Sequence, residues 1–419
     1  MVDRRGFLKG TAAGVLGLSG AAALTSGCAP APAPPPIRPR GPFGDAGIDH
    51  VVVVMMENRS FDHFLGWLPG ADGVQAGLEY TDDQGRVHPT HHLERFGSCG
   101  WDDPDHSYQG GRRQLDGGAL DGFLRRSPDT FPIGYYTKGD LPFWGTAAPA
   151  WTVCDRYFAA ILGPTFPNRF FQHCGQTDRW ENWLSISSMT TIWDRIAAAG
   201  LEGRYYYSDA PFTALLGVRH ASISRMFDGF LADCASGRLP HVSFVDPRFL
   251  ISPIGTSNDY HPHSDIRLGD QFLHQVYEAV TTSPAWERTV LVVNFDEWGG
   301  FFDHVVPPVG PSSTDWQAQR GFRVPCLVVS PFARRGHVAH DVYDHASVLK
   351  MIEWGFGVPP LSVRDAEANN LADVLDLDSP DPEVPHWPFP PFVPEDCLAA
   401  IGDRMWDQLR QVATGSGFA

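Results

Sequence analysis

The stretch VVVVMMENRSFDHFLG, Val51–Gly66, joins an apolar run to a polar turn. Four valines and two methionines end directly in Glu57, Asn58 and Arg59, and Ser60 precedes a helix-like segment. Short β-branched runs of this kind are typical of strands buried on both faces of a parallel sheet. In such sheets, ligands bind beyond the carboxyl ends of the strands. The turn therefore predicts either a functional site or a simple capping turn in which Ser60 caps the next helix.

Similar runs along the chain predict further strands. We expect strands at His50–Met56, His241–Val245, Thr289–Phe295 and Val324–Ser330, with Gly203–Tyr207 as a fifth. Helical patterns lie between them, at Thr191–Ala199, Ser222–Ser236, Leu268–Thr282 and Ala346–Trp354. This alternation predicts an α/β fold, a three-layer sandwich around a mostly parallel central sheet. Residues 70–150, rich in Gly, Asp, His and aromatics, predict a loop-rich cap over the sheet edge.

The chain is acidic. It has 419 residues, 43% of them hydrophobic, and a formal net charge of -17. The hydrophobic content supplies a sizeable core, and the negative charge argues against nucleic acid as a partner, because phosphate backbones need a basic surface. A phosphate group must instead be attracted locally, by a metal ion or by well-placed arginines.

The N-terminal residues are expected to direct and tether the protein. Asp3–Lys9 carries twin arginines followed by Phe-Leu-Lys, so residues 1–27 indicate a twin-arginine export signal, the alternative being a basic disordered tail. Leu24–Cys28 resembles a lipoprotein cleavage site with Cys28 as the lipidated residue. The Pro-rich residues 28–46 then form either a linker at the membrane surface or a disordered N-terminus. We therefore expect an exported protein, either a cell-envelope lipoprotein or a secreted one.

Residues 47–419 are expected to form a single domain. Its segment Gly357–Pro394 is expected to wrap the surface before a final helix near Cys397–Val412. Its six cysteines permit up to three disulfides, and the sequence leaves their pairing open. They are Cys99, Cys154, Cys174, Cys234, Cys326 and Cys397. The oligomeric state is also left open.

The run Thr289–Phe295 ends in a second polar turn. Asp296 and Glu297 follow it directly, and Gly299 and Gly300 come next. Adjacent residues of a strand point to opposite faces, so the two carboxylates share a site only if the chain turns there, which the glycines permit. Carboxylates after a buried run are costly unless they are paired or bind a metal. With the first polar turn they predict a metal site, the alternative being an exposed acidic loop.

The stretch LGPTFPNR, Leu162–Arg169, holds one hydroxyl in a rigid turn. Its two prolines restrict the backbone around Thr165, and Asn168 and Arg169 supply donors beside it. A hydroxyl next to a metal, with Arg169 nearby, suits a nucleophile that attacks phosphorus. The alternative is an ordinary turn in which Thr165 bonds its own backbone.

As a set, these motifs resemble the bacterial phosphoesterase family that contains the non-haemolytic phospholipases C and related acid phosphatases. The matching stretches are Glu57–Asp62, Asp103–Ser107, Gly163–Arg169, Asn258–Pro262 and Asp296–Val305. The resemblance covers most of residues 48–356, and the motifs are specific together but weak singly. It implies an alkaline-phosphatase-like α/β fold with one divalent metal ion and makes residues 47–419 the catalytic domain.

The resemblance also implies a ligand set. The metal would be held by Glu57, Asn58, Asp296, Glu297 and the hydroxyl of Thr165. Thr165 would also be the nucleophile and would form a phosphothreonine. Oxygen ligands suit Mg, Ca or Mn, but zinc accepts oxygen as well, so the identity of the metal stays open.

Histidines complete the implied site. His106 and His261 match family histidines that line the phosphate site, where either protonates the leaving oxygen or stabilises the phosphoryl charge. His304, a further candidate catalytic residue, and His345 match family positions with less defined roles. His263 stands where a second proline is more usual, so it is either an extra ligand or a surface histidine.

Three functions fit these features. The first is metal-dependent hydrolysis of phosphoric esters of the phospholipase C type, which converts a phosphatidylcholine-like lipid to diacylglycerol and a phosphorylated head group. The alternative is an exported acid phosphatase acting on small phosphomonoesters. The longer phospholipases of the family carry additional C-terminal β domains, whereas this sequence ends soon after the motifs, and this weakens the lipid assignment. A non-catalytic surface lipoprotein is a third reading. Trp67, Trp101, Trp144 and Trp151 either contact a lipid or choline head group or belong to the core.

Overall fold

Fourteen strands occur in the part of the chain that the computed structural model describes, residues 41–250 and 256–395. They are β1 (His50–Met56), β2 (Glu79–Thr81), β3 (Val87–Pro89), β4 (His91–His92), β5 (Gly134–Tyr135), β6 (Thr152–Cys154), β7 (Tyr157–Phe158), β8 (Gly203–Tyr207), β9 (Ser224–Met226), β10 (Val242–Val245), β11 (Thr289–Phe295), β12 (Cys326–Val329), β13 (His337–Ala339) and β14 (Tyr343–Asp344). Residues 1–40, 251–255 and 396–419 are not described, so the export signal, Cys28 and the helix expected near Cys397–Val412 lie outside the described residues.

Eleven α-helices lie within the same described ranges, together with short 3-10 turns. They are α1 (Pro42–Ala46), α2 (Phe61–Leu65), α3 (Tyr108–Leu115), α4 (Trp144–Ala150), α5 (Thr165–Cys174), α6 (Ile192–Ala198), α7 (Phe227–Ala235), α8 (Ile266–Thr281), α9 (Asp315–Ala318), α10 (His345–Phe356) and α11 (Val363–Glu367). Among the described residues, no helix has the length and apolar character needed to cross a membrane.

A central sheet of eight strands has the order β13-β6-β12-β11-β1-β10-β8-β9. Neighbouring strands are parallel except at β12, which is antiparallel to both β11 and β6. The predicted strand Val324–Ser330 therefore exists as β12 but does not join a parallel pair. The connection from β11 contains only the four-residue helix α9, and without a long crossover the chain returns antiparallel beside β11.

The two central strands, β1 and β11, have the predicted bounds. Every residue of β11 and all but the first of β1 are buried. Because adjacent side chains of a strand point to opposite faces, both faces of the sheet must be covered. Helix α10 packs against α1, α5 and α11, while α7 packs against α8. The predicted three-layer α/β sandwich with a mostly parallel sheet is confirmed.

Most predicted helices lie within two residues of the observed ones, but Ser222–Ser236 is wrong at its start. Residues Ser224–Met226 form the edge strand β9, which pairs in parallel with β8, and helix α7 begins only at Phe227. The edge of β8 offers unpaired backbone groups, and pairing with them outweighs the helical pattern.

Residues 70–150 contain two small sheets, β2-β3 and β4-β5, and the helices α3 and α4. Of the four tryptophans in or next to this segment, Trp144 and Trp151 are fully buried, and Trp67 and Trp101 are partly buried against the main core. Trp144 and Trp151 are therefore core residues, and the head-group reading is wrong for these two; for Trp67 and Trp101 both readings stay open.

Four of the six domain cysteines are buried free thiols, which rules out three disulfides. They are Cys154, Cys174, Cys234 and Cys326. Cys99 is disulfide-bonded.

Candidate active site

The paired ends of β1 and β11 bring the two polar turns together. Met56 lies opposite Phe295 in the parallel register, and the Asp296 amide donates to the Met56 carbonyl at 3.0 Å. Asn58 has a left-handed backbone, with φ of 57°, and its backbone N–H donates to Asp296 Oδ1 at 3.2 Å. Gly299 is required at this crossing, because an added Cβ would lie 2.1 Å from the Asn58 carbonyl oxygen.

We call Glu57, Asn58, Asp296 and Glu297 the carboxylate cluster. All four side chains are buried. Burial, followed by the charge of Asp296, raises the pKa of Glu57 well above its ordinary value. Burial, followed by the charge of Glu297, raises the pKa of Asp296 to about 7. Three buried carboxylates at one place need positive charge to stay ionised.

The cluster fits a divalent cation. The Asn58 side chain reaches Glu297 Oε1 and Asp296 Oδ1, both at 3.1 Å, and His261 Nε2 at 3.2 Å, so it joins the carboxylates to the histidine. Asp296 Oδ2 is buried and has no hydrogen-bond partner among the described residues, which leaves it available as a ligand. An oxygen-rich set of this kind suits a hard cation.

Arg169 supplies part of the required charge. Its Nη2 lies 2.9 Å from Glu57 Oε1, its Nη1 3.1 Å from Asp246 Oδ1, and its Nε 3.7 Å from Asp296 Oδ2. Burial alone would lower the pKa of Arg169, but the charges of Asp246 and Glu57 raise it above the ordinary value. Arg169 is therefore a permanent cation against the cluster.

Helix α5 carries Thr165 one turn before Arg169. Thr165 is its first residue, and Arg169 lies four residues later on the same helix face, in contact with the cluster. The side chain of Asn168 does not point to the hydroxyl as expected. It accepts from the Ile161 amide at 3.0 Å and donates to the carbonyls of Gly163 and Pro164 at 2.8 and 3.2 Å. Asn168 thus fixes the loop that precedes the helix.

A histidine pair lies on the other side of Glu297. His106 Nδ1 lies 2.5 Å from Glu297 Oε1, and its Nε2 lies 3.7 Å from Asp103 Oδ2. His261 Nε2 lies 3.8 Å from the same oxygen of Asp103, and the two imidazole rings are 5.8 Å apart. Burial would lower the pKa of His106, but Glu297 and Asp103 raise it well above the ordinary value. A protonated imidazole beside the cluster can donate a proton.

His304 is not part of this arrangement. Its Nδ1 lies 2.6 Å from Asp62 Oδ2 and its Nε2 3.1 Å from Asp72 Oδ1. Arg323 donates to Asp62 Oδ1 at 3.0 Å and to Asp303 Oδ1 at 2.9 Å. Asp62, Asp303 and His304 have the composition of a metal site, but Arg323 and backbone amides already satisfy their carboxylates.

The two other histidines have structural partners. His345 Nε2 bonds the Phe295 carbonyl at 2.9 Å, and burial lowers the pKa of His345 to about 4. His263 Nε2 bonds the Trp101 carbonyl at 2.9 Å and is buried. His263 is therefore not the surface histidine that the sequence allowed.

Three further acidic residues contact the site and are not among the residues predicted from the sequence. Asp246 directly follows β10, and its carboxylate contacts Arg169 and accepts from the Tyr205 hydroxyl. Its position at a strand end, the signal that identified Glu57, could have found it. Asp103 lies between the two histidines, and Asp259 Oδ1 accepts from the His261 amide at 2.9 Å. Only the folded contacts reveal the parts that these two residues play.

Residues 48–359 match the model of the phosphoesterase family, and the chain belongs to that family. It is 30% identical to phospholipase C B of Mycobacterium tuberculosis, over 82% of this chain and 80% of that protein. It is 30% identical to non-specific phospholipase C1 of Arabidopsis thaliana, over 81% of this chain and 73% of that protein. Non-hemolytic phospholipase C of Pseudomonas aeruginosa is also 30% identical, over 93% and 65%. The chain is a phosphoric-ester hydrolase, as the sequence predicted.

Solved structures that match the chain include a protein in the alkaline phosphatase superfamily from Vibrio parahaemolyticus. It is 11% identical, with a TM-score of 0.38, over 77% of this chain and 70% of that one. The phosphonate monoester hydrolase of Agrobacterium radiobacter is 10% identical, with a TM-score of 0.37, over 79% and 78%. The family assignment stands on the sequence matches.

Proposed function

We propose that the protein is a metal-dependent phospholipase C that cleaves phosphatidylcholine-like lipids to diacylglycerol and a phosphorylated head group. The observation that carries this proposal is the carboxylate cluster at the ends of β1 and β11, which is contacted by Arg169 on helix α5, one turn after Thr165. The names of the relatives supply the substrate class. A divalent cation bound by the cluster and Thr165 would neutralise phosphoryl charge and lower the pKa of the hydroxyl.

The residues of the chain then have separate tasks. Thr165 gives its proton to solvent, which returns it at the end of the cycle, and its oxygen bonds to phosphorus while the bond from phosphorus to the glyceride oxygen breaks. His106 or His261 donates a proton to that leaving oxygen. The same histidine then takes a proton from the water that hydrolyses the phosphothreonine, which releases the head group and restores Thr165. Arg169 holds Glu57 in place throughout.

Export belongs to the same proposal. We propose that residues 1–27 direct twin-arginine export and that Cys28 is acylated, which would place the catalytic domain at a membrane surface. The twin-arginine route moves folded proteins, and this suits an enzyme whose metal is loaded before export.

An acid phosphatase is the second candidate. The burial of Trp144 and Trp151 favours it, because these side chains are withdrawn from any head-group contact. The two candidates differ in whether the enzyme prefers phosphodiesters or phosphomonoesters.

Paired rates on p-nitrophenyl phosphorylcholine and p-nitrophenyl phosphate decide between them. The phospholipase proposal expects a strong preference for the diester, and a preference for the monoester at acidic pH would assign the chain to the phosphatases. Thr165→Ala should abolish both rates, whereas Thr165→Ser should retain part of them. Acid quenching should trap phosphate on Thr165. Near-normal hydrolysis by Thr165→Ala would sink the proposed mechanism, and no turnover of either ester by the parent protein would favour the non-catalytic reading.

A further inference from the structure

Two loops beside helix α5 expose an apolar surface that no part of the mechanism uses. We call it the apolar ridge: Trp180, Trp183, Leu184, Ile186 and Val218. The exposed fractions are 44% for Trp180, 55% for Leu184, 72% for Ile186 and 93% for Val218, and Trp183 is half-buried. Large apolar side chains that are exposed together mark interaction surfaces more often than singly exposed ones do.

The ridge is continuous across the two loops. The Ser187 amide donates to the Leu215 carbonyl at 2.7 Å, which joins the loops through their backbones. Ile186 lies against Gly217, where an added Cβ would come within 3.5 Å of the Ile186 Cγ2 atom. Val218 follows Gly217 directly. The most exposed apolar side chains of the two loops are therefore neighbours.

Buried contacts of Arg179 and ring contacts of Trp180 fix the loop that carries most of the ridge. Arg179 is buried, and its Nη1 donates to the Trp183 and Ser185 carbonyls at 2.5 and 2.9 Å. The Trp180 ring packs edge-on against Trp183 at 4.6 Å and against Trp316 at 5.9 Å. These contacts fix the loop, so the exposure of its apolar side chains is part of the folded structure.

The same loop touches the segment that carries the candidate nucleophile. The Phe166 amide, next to Thr165, donates to Asn182 Oδ1 at 2.8 Å. Gly163 packs on the loop as well, because an added Cβ would lie 3.6 Å from the Trp180 carbonyl oxygen. Whatever binds the ridge is therefore brought beside the candidate active site.

We propose that the apolar ridge docks the enzyme on the surface of a zwitterionic phospholipid bilayer, beside the site that receives the head group. This inference rests on the proposed lipid substrate. Tryptophan and aliphatic side chains bind at the interfacial region of bilayers. The segment Trp180–Ser188 carries one charge, that of Glu181, which is offset by Arg219 beside Val218, and the whole chain has a net charge of -17. Apolar insertion, rather than attraction to anionic lipids, therefore drives the docking.

The experiment uses the full chain with Cys28→Ser, so that acylation at this position does not contribute. The test variant is Leu184→Ser with Ile186→Ser. The matched control is Val87→Ser with Val393→Ser, which removes apolar side chains that are 57% and 85% exposed elsewhere on the surface. Binding to phosphatidylcholine vesicles, with and without anionic lipid, is measured by co-sedimentation. Hydrolysis is measured on vesicle lipid and on soluble p-nitrophenyl phosphorylcholine.

Loss of the two ridge side chains should weaken vesicle binding about a hundredfold, since burial of each is worth roughly a factor of ten. Hydrolysis of vesicle lipid should fall with it, while the rate on the soluble ester and the control variant stay unchanged. Equal binding by the test and control variants would overturn the inference. Failure of the parent protein to bind vesicles would also overturn the inference, because a second copy or another segment would then cover the ridge. Ridge-dependent binding without any hydrolysis would support the docking surface and reject the proposed function.

Discussion

Two nitrogens of Arg169, Nε at 3.1 Å and Nη2 at 2.9 Å, bind the same carboxylate oxygen of Glu57. The remaining nitrogen, Nη1, contacts Asp246. One guanidinium thus joins the end of β1 to the end of β10. It belongs to helix α5, which begins with Thr165. Arg169 therefore ties the helix that carries the candidate nucleophile to the carboxylate cluster.

Arg169→Met is therefore expected to destabilise the fold and to abolish activity. Removing one partner of a buried ion pair leaves uncompensated charge and typically costs about 3–5 kcal/mol. Urea unfolding measures the change in the free energy of unfolding. Adding Asp246→Asn to the variant should recover part of the loss, because one of the stranded carboxylates is then neutral. Full stability and activity in Arg169→Met would show that Arg169 does not hold the site.

The sequence predicts the centre of the fold well, because β1 and β11 are buried at nearly every position and leave no alternative to a central strand. It predicts the edges poorly. The antiparallel direction of β12 depends on a connection without a long helix, and β9 depends on the free edge of β8. These are contacts between distant segments, and local residue patterns do not encode them.

The candidate site likewise has a part that the sequence predicts and a part that it does not. The carboxylate cluster was predictable, because polar residues that end buried parallel strands meet at one edge of the sheet. The partners of His304 were not, because Asp62 and Arg323 lie far from it in sequence and meet it only in the folded chain. Asn168 was placed in the right loop, but its bonds to the loop backbone follow from the turn geometry of the folded loop.

The carboxylate cluster is expected to bind one divalent ion per chain. Asp296→Asn should lose most of this metal, because it removes a charged oxygen ligand from a site with few alternatives. Asp303→Asn is the control, since its carboxylate is already occupied by Arg323. Metal content is measured by elemental mass spectrometry after gel filtration. Chelation should lower the melting temperature of the parent protein but not of Asp296→Asn. Equal metal loss in both variants would contradict this assignment.

The four buried thiols are expected to resist alkylation in the native protein. Burial raises the pKa of Cys234 to about 12 and raises the pKa of Cys174 and Cys326 as well, so little reactive thiolate is present at neutral pH. Iodoacetamide labelling followed by peptide mass spectrometry should find these cysteines unmodified before unfolding and modified after it. Cys99 should label only after reduction. Labelling of Cys154 or Cys326 in the native state would show that the sheet opens locally.

Glu353 is expected to make stability depend on pH. It is buried on α10, and burial, followed by the neighbouring Asp365, raises the pKa of Glu353 to about 10 from an ordinary value of 4.5. Below pH 4.5 both the folded and unfolded states hold the proton, and stability is complete. As the pH rises from 4.5 toward 10, only the unfolded state releases the proton, so stability falls by at most about 1.4 kcal/mol per pH unit.

Glu353→Gln removes this proton and keeps the shape of the side chain. The variant should match the parent protein near pH 4.5 and exceed its melting temperature by a margin that grows toward pH 8. The exposed Glu367→Gln on α11 serves as the control and should follow the parent at every pH. Calorimetry at several pH values measures the difference. Parallel profiles for Glu353→Gln and the parent would mean that Glu353 is ionised in the folded protein, with its charge balanced despite its burial.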